Sequence, residues 1–231
     1  MKKLFGLLCC VMYLSVFSQE NDNITLITQE MASPTQIEEA RKNYNAGTEY
    51  LHNNDLDNAE ICFLKAIEED SKFVDAMDHL GLVYRRQERY EDAIEMYKKS
   101  IEINSENTVP YINLAIVYKL QRRFEDARQE YLKILEFDKD NPEPYYGIGY
   151  LYYEREMYAQ AIEYFEIAFS KYYNIESVYI FDASYLLAYA NYYEENFEEA
   201  LRYFKFTFSY YKDNTAIQEK ILELEALVVT E

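Results

Sequence analysis

The chain has 231 residues, 49% of them hydrophobic and 17% aromatic, with 5 Gly, 4 Pro, 26 Tyr and no Trp. That is too apolar for intrinsic disorder and too poor in Gly and Pro for a loop-rich or all-β chain. Its 23 basic and 42 acidic residues give a net charge of −19, which repels nucleic acid and anionic headgroups and tolerates basic partners.

The N-terminus reads as a secretory signal peptide over residues 1–18. "MKK" is positive, "LFGLLCCVMYLSVF" (4–17) is apolar, and Val16 and Ser18 precede a cut before Gln19. The apolar run is too short for a comfortable membrane span; an uncleaved anchor is the alternative. Cleavage would remove Lys2 and Lys3, leaving 21 basic against 42 acidic residues, a charge of −21, and would leave Cys62 as the single cysteine. Cys62 stands in "ICFL" and reads as a core residue, with no intramolecular disulfide open to it. Residues 19–33 show no sustained period and form a lead-in. "SPTQ" then offers Ser33 as N-cap, Pro34 at the first helical position and Gln36 to close a capping box, so the first helix is expected near Pro34.

From residue 40 the chain repeats itself every 34 residues. Ala59, Ala93, Ala127 and Ala161 form one series, and Tyr50, Tyr84, Tyr118 and Tyr152 another. Gly47, Gly81, Ala115 and Gly149 are small at the same spacing. Leu56, Tyr90, Phe124 and Tyr158, and Phe63, Tyr97, Tyr131 and Phe165, are large. "RYEDA" (89–93) returns as "RFEDA" (123–127) in the same register. Within one period, Met77, Leu80, Gly81 and Tyr84, then Ala93, Ile94, Tyr97 and Ile101, recur at helical spacing, predicting two amphipathic helices joined by "RQER". One such pair cannot bury its apolar stripe alone, whereas a stack can.

On these residues the chain resembles the tetratricopeptide repeat family. The resemblance implies an all-α fold, a right-handed α-solenoid of about five helix-turn-helix repeats with a C-terminal capping helix. The copies fall at about 40–73, 74–107, 108–141, 142–175 and 181–212, within an array over 34–212. Ala200 follows Ala161 by 39 rather than 34 residues, so the fifth copy comes five late. The inserted "ESVYI" (176–180) is expected to lengthen the first helix of that copy or bend the stack. Residues 213–231 would be the cap, with Ile217, Ile221, Leu224 and Val228 on one face.

The resemblance also implies a concave groove lined by the first helix of each copy. Carried onto this chain, it runs from a charged stretch (Arg41, Tyr44, Asp75, Asp78) through an aliphatic one (Ile112, Ile116) to a tyrosine shelf. The expected partner-binding residues are Tyr146, Tyr150, Tyr153, Tyr185, Tyr189 and Tyr192, with Glu143, Glu154 and Asp182 as acidic selectors. Of the 26 tyrosines, 17 lie between 142 and 211. Tyr suits recognition because it gives large area with few rotors and a polar tip; filling the core at the irregular junction is the other reading. The carboxylate clamp of chaperone-binding relatives is absent: the matching positions hold Tyr44, Thr48, His79, Val109 and Asn113, without the cations a carboxylate needs.

No phosphate loop or nucleophile elbow is present, and His52 and His79 read as isolated surface residues. The expectation is therefore a non-catalytic interaction or scaffolding module of the bacterial envelope, periplasmic or secreted. It would take a protein or peptide partner of basic character and no nucleic acid, and would need no cofactor or metal. Glycan binding on the tyrosine shelf, or assembly through the convex face, are the alternatives.

Overall fold

The computed structural model describes residues 35–228, which are helical apart from short connections. The expected signal peptide (1–18) and lead-in (19–33), with Ser33 and Pro34, lie outside the described residues. The helices are α1 (Glu38–His52), α2 (Leu56–Glu69), α3 (Val74–Arg86), α4 (Tyr90–Ile103), α5 (Thr108–Leu120) and α6 (Phe124–Phe137). They continue as α7 (Pro142–Tyr153), α8 (Tyr158–Asn174), α9 (Ile180–Tyr193), α10 (Phe197–Tyr210) and α11 (Thr215–Val228). Two compact units divide after Val83, inside α3. In each, helices pack on their neighbours in chain order, α1 on α2 in the first and α4 through α11 successively in the second. This is the α-solenoid arrangement of helical hairpins.

The first described helix starts at Glu38, and the expected start at Pro34 lies outside the described residues. Before it, Thr35 Oγ1 accepts the Ile37 amide at 3.1 Å and forms a local turn. Helical bonding begins with the Arg41 amide donating to the Ile37 carbonyl.

One device ends the first helix of every copy. Asn54, Glu88, Arg122, Glu156 and Glu195 are left-handed, with φ of 58°, 60°, 60°, 58° and 62°. The next amide then reaches back five residues: Asp55 to the Tyr50 carbonyl, Arg89 to Tyr84, Arg123 to Tyr118, Met157 to Tyr152 and Asn196 to Asn191, at 2.8–3.0 Å. This is a Schellman closure made without glycine. It also explains the recurrence of RYEDA and RFEDA. The Arg89 guanidinium lies 4.1 Å from the Tyr84 ring centre while its Nε donates to Asp92 at 2.8 Å, and Arg123 does the same with Tyr118 (4.3 Å) and Asp126 (2.7 Å). Each Arg thus ties the end of one helix to the first turn of the next.

Small residues let the paired helices approach. A methyl added at Gly47 would stand 2.7 Å from Phe63, and one at Gly149 would stand 2.7 Å from Phe165, both rings being fully buried. Those contacts are closer than packed carbons tolerate, so the positions require glycine for space. At the C-terminal end Asn214 caps α11 by accepting the Ile217 amide, and Ile217, Ile221 and Leu224 are buried while Val228 is half-buried.

Candidate functional site: the tyrosine-rich fourth and fifth copies

The five late residues are distributed over three places. Helix α8 has 17 residues where α6 has 14, the connection 175–179 has five where 138–141 has four, and α9 has 14 where α5 has 13. Most of the insertion therefore lengthens the second helix of the fourth copy, and the first helix of the fifth gains one residue. The extension ends in another Schellman closure, with Glu176 at φ 53° and the Ser177 amide donating to the Tyr172 carbonyl.

That added turn carries Tyr172 into a core with Ala168, Ile180 and Ala183, against which Tyr145, Tyr146, Phe169, Tyr179, Phe181 and Phe206 pack. The Tyr172 hydroxyl donates to Glu143 Oε1 at 2.7 Å, and the Tyr211 hydroxyl donates to Asp182 Oδ1 at 3.0 Å. Neither carboxyl has a cationic partner among the described residues. Burial raises the Glu143 pKa, the Tyr172 hydrogen bond opposes it, and the charge of Asp182 raises it further. Burial likewise pushes Asp182 up to about 6, against the Tyr211 hydrogen bond. Both acids thus sit inside the joint between copies, each held by a tyrosine.

The expected shelf residues divide between packing and exposure. Tyr146 lies on Phe165 (5.8 Å between centroids) and Tyr172 (6.4 Å), and burial raises its hydroxyl well above the ordinary range. Tyr153 is buried against Tyr158, Phe165 and Tyr193. Tyr153 is a core residue, and Tyr146 is half-buried with its ring packed against the core. Tyr150, Tyr185, Tyr189 and Tyr192 are half-buried. A chain of ring contacts runs from Tyr185 to Tyr189 (4.9 Å), on to Tyr193 (6.3 Å) and then to Tyr192 (5.7 Å), with Phe204 beneath Tyr189. The structure therefore brings Tyr153, Tyr185, Tyr189 and Tyr192 into one network. Over Tyr150 lies Lys119, with its Nζ 4.5 Å from the ring centre and 4.0 Å from Glu154.

Four participants have no groove position in the repeat frame: Tyr172, Tyr211, Lys220 and Glu223. The first two were signalled only by the aromatic density of "KYYNIESVYIF" and "SYYK". Lys220 and Glu223 come from the capping helix, where Tyr192 donates to Glu223 at 2.8 Å beneath the Lys220 ammonium.

In the first unit, His79 is half-buried rather than at the surface as expected, whereas His52 is exposed. Its ring packs on Tyr44 (5.2 Å) and Phe63 (5.5 Å), its Nδ1–H donates to the Asp75 carbonyl at 2.9 Å, and burial lowers its pKa. Tyr44, a groove position in the repeat frame, packs on Phe63, Phe73 and His79. Among the described residues no group of three or more His, Cys, Asp or Glu is arranged to hold a metal ion, and no described helix is long and apolar enough to cross a membrane.

Three profiles of the tetratricopeptide repeat match residues 40–73, 73–140 and 146–205. No curated protein matches the chain. Similar solved structures include PilF of Pseudomonas aeruginosa, at TM-score 0.64 and 21% identity, covering 82% of this chain and 92% of that one. A tetratricopeptide repeat protein of Parabacteroides merdae aligns at TM-score 0.63 and 21% identity, covering 82% and 73% respectively. YrrB, described as a tetratricopeptide repeat protein with an unusual peptide-binding site, aligns at TM-score 0.55 and 22% identity, covering 78% and 90%. With the 34-residue period, the helical hairpins and the profile matches in agreement, the chain belongs to the tetratricopeptide repeat family.

Proposed function

We propose that this chain is a non-catalytic binding module of the bacterial envelope, exported after cleavage before Gln19, which holds a basic peptide or partner helix in the groove of its fourth and fifth copies. Tetratricopeptide repeat proteins are generally interaction modules, and YrrB carries a peptide-binding site on this fold. The observation that carries the reading is the set of half-buried tyrosines, Tyr150, Tyr185, Tyr189 and Tyr192, on α7 and α9. Rings that remain half open in a protein with this much core offer anchoring area that packing has not consumed. The acidic balance and Glu154 favour a cationic partner. A second reading has its own support: Tyr173, Ile175 and Val178 at the end of the lengthened α8, and Tyr210 at the end of α10, are large apolar residues 67%, 61%, 57% and 52% exposed.

Capture from an envelope fraction tests both. The parent and a Tyr150→Ala/Tyr189→Ala variant of matched helicity are immobilised, and retained proteins are identified by mass spectrometry. In that fraction the chain itself should begin at Gln19. A partner retained by the parent and lost by the variant supports the groove. The same set retained by both removes the groove as the site and points to the exposed residues at the ends of α8 and α10.

A further inference from the structure

Two lysines sit on groove tyrosines in the same way, although they come from different helices. Lys119, on α5, holds its ammonium 4.5 Å from the Tyr150 ring centre and 4.0 Å from Glu154 Oε1. Lys220, on α11, holds its ammonium 4.2 Å from the Tyr192 ring centre and 2.8 Å from Glu223 Oε2, while Tyr192 donates to the other oxygen of Glu223. Each arrangement is a notch made of one aromatic face and one carboxylate, with a cation in it. No repeat register relates the two lysines, one coming from the helix hairpin before its tyrosine and the other from the helix pair after. What they share is the chemistry of the notch.

The notches also differ from the acids of the joint. Glu143 and Asp182 are taken up by Tyr172 and Tyr211 and face inward. Glu154 and Glu223 keep 34% and 45% of their side-chain surface, so a group arriving from solvent can reach them. The lysine side chains keep 21% of their surface, and an ammonium over a ring beside a partly exposed carboxylate is still a contact that hydration competes with. A guanidinium suits the same notch better. It lies flat on the ring, is less strongly hydrated, and can pair with a carboxylate through two parallel N–H groups.

We propose that Lys119 and Lys220 are internal occupants of two cation notches, and that the groove's partner is an arginine-bearing peptide whose guanidinium groups displace them. The chain's own lysines then set a threshold: a partner must outcompete them, which discriminates against peptides that carry only lysine. This rests on the groove reading above and adds to it the chemistry of the partner and a built-in competitor.

The test uses the full chain and two probes, the peptide amide acetyl-(Arg-Ala)4 and its citrulline counterpart, which has the same shape without the charge. Binding is read by calorimetry. Lys119→Met and Lys220→Met remove the ammonium and keep the stem. Lys139→Met, at an exposed position after α6, is the charge-matched control. The expected result is that each groove variant tightens the arginine peptide about two- to fivefold, the size of the weak contact removed. Lys139→Met should barely change it, the citrulline peptide should not respond, and adding Tyr150→Leu to Lys119→Met should cancel the gain. Equal tightening by all three Met variants would reduce the effect to net charge and overturn the inference. So would an arginine peptide that binds parent and Lys119→Met alike, although the groove reading would survive that outcome. If the arginine peptide binds no variant, the notches take no guanidinium and the inference falls. The groove reading itself stands or falls separately, on the capture experiment with Tyr150→Ala/Tyr189→Ala.

Discussion

Tyr44 with Phe63 in the first unit and Tyr146 with Phe165 in the second are the same ring pair. The centroids are 5.8 Å apart in both, and the rings are tilted by 54° and 51°. What rests on the pair differs. In the first unit it is neutral His79, whose Nδ1–H is spent on the Asp75 carbonyl. In the second it is Tyr172, tied to Glu143 with Asp182 close enough to feel its charge. The repeat frame dictates the aromatic pair because the small position at Gly47 or Gly149 leaves a ring-shaped gap. It does not dictate the polar group above the rings, and the two units buried opposite kinds of titratable group there.

The largest break in that comparison comes from removing the shared ring. Phe63→Ala and Phe165→Ala each delete a fully buried side chain, so each should cost about 3–5 kcal/mol in urea unfolding. The second should also relieve the carboxyl joint, because Tyr146 and Tyr153 both lean on Phe165. Its signature is an Asp182 pKa, followed by carboxyl NMR, that moves down from about 6 toward the ordinary Asp range. Phe63→Ala should leave that pKa in place. A loss below 1 kcal/mol at either site would mean that the ring is not the keystone of its hairpin.

The next effects have opposite signs in the two units. His79 has a folded pKa below its unfolded value near 6.5. The unfolded chain therefore takes up the proton first, and the stability due to neutral His79 is present above pH 6.5 and lost as pH falls through the folded pKa. Asp182 has a folded pKa of about 6, above its unfolded value near 4. Its contribution is fully present below pH 4 and lost as pH rises through 6. Acidification from pH 7 should thus weaken the first unit and strengthen the joint of the second. Asp182→Asn, which keeps an acceptor for Tyr211, should stabilise the protein at pH 7 by on the order of 1 kcal/mol. That gain should vanish below pH 4. His79→Phe should flatten the loss between pH 6.5 and 5. Hydrogen exchange of α1–α2 and α8–α10 at pH 7 and 5 separates the two, and a common direction of change in both regions would refute the assignment.

The period itself was open to reading because a small-large pairing at fixed spacing is a packing rule with few solutions. That rule placed Gly47, Gly149, Phe63 and Phe165 correctly, and with them the fold. The groove positions were less legible. A repeat register says which helix carries a residue, and it does not say whether the neighbouring helix covers it. Tyr146 and Tyr153 are covered by rings from α8 and α9, and Tyr44 by His79. Lys119 and Lys220 reach their tyrosines across helix pairs, a relation with no fixed spacing along the chain. The five inserted residues could be counted, but their fate could not be read. Helix α8 stops where Glu176 turns left-handed, and glutamate carries no sign of that conformation.

The same left-handed positions sharpen the comparison with the smallest effect. The first unit closes its hairpin on Asn54, a residue that tolerates φ near 60°, whereas the second closes on Glu88, Arg122, Glu156 and Glu195. Glu88 and Glu156 are exposed, so substitution there relieves backbone strain and removes little else. Glycine has no Cβ to crowd the carbonyl, although it also raises the entropy of the unfolded chain, and the net gain should be about 0.5–1 kcal/mol for Glu88→Gly or Glu156→Gly. Asn54→Gly should gain only a few tenths, because asparagine already accommodates the conformation. Combining Glu88→Gly with Glu156→Gly should be additive, since the two turns lie two copies apart and share no partner. A thermal melt in which Asn54→Gly stabilises as much as Glu156→Gly would show that residue type at these turns is immaterial. The Schellman hydrogen bonds alone would then set the hairpin, and glutamate would stand there at no cost to the fold.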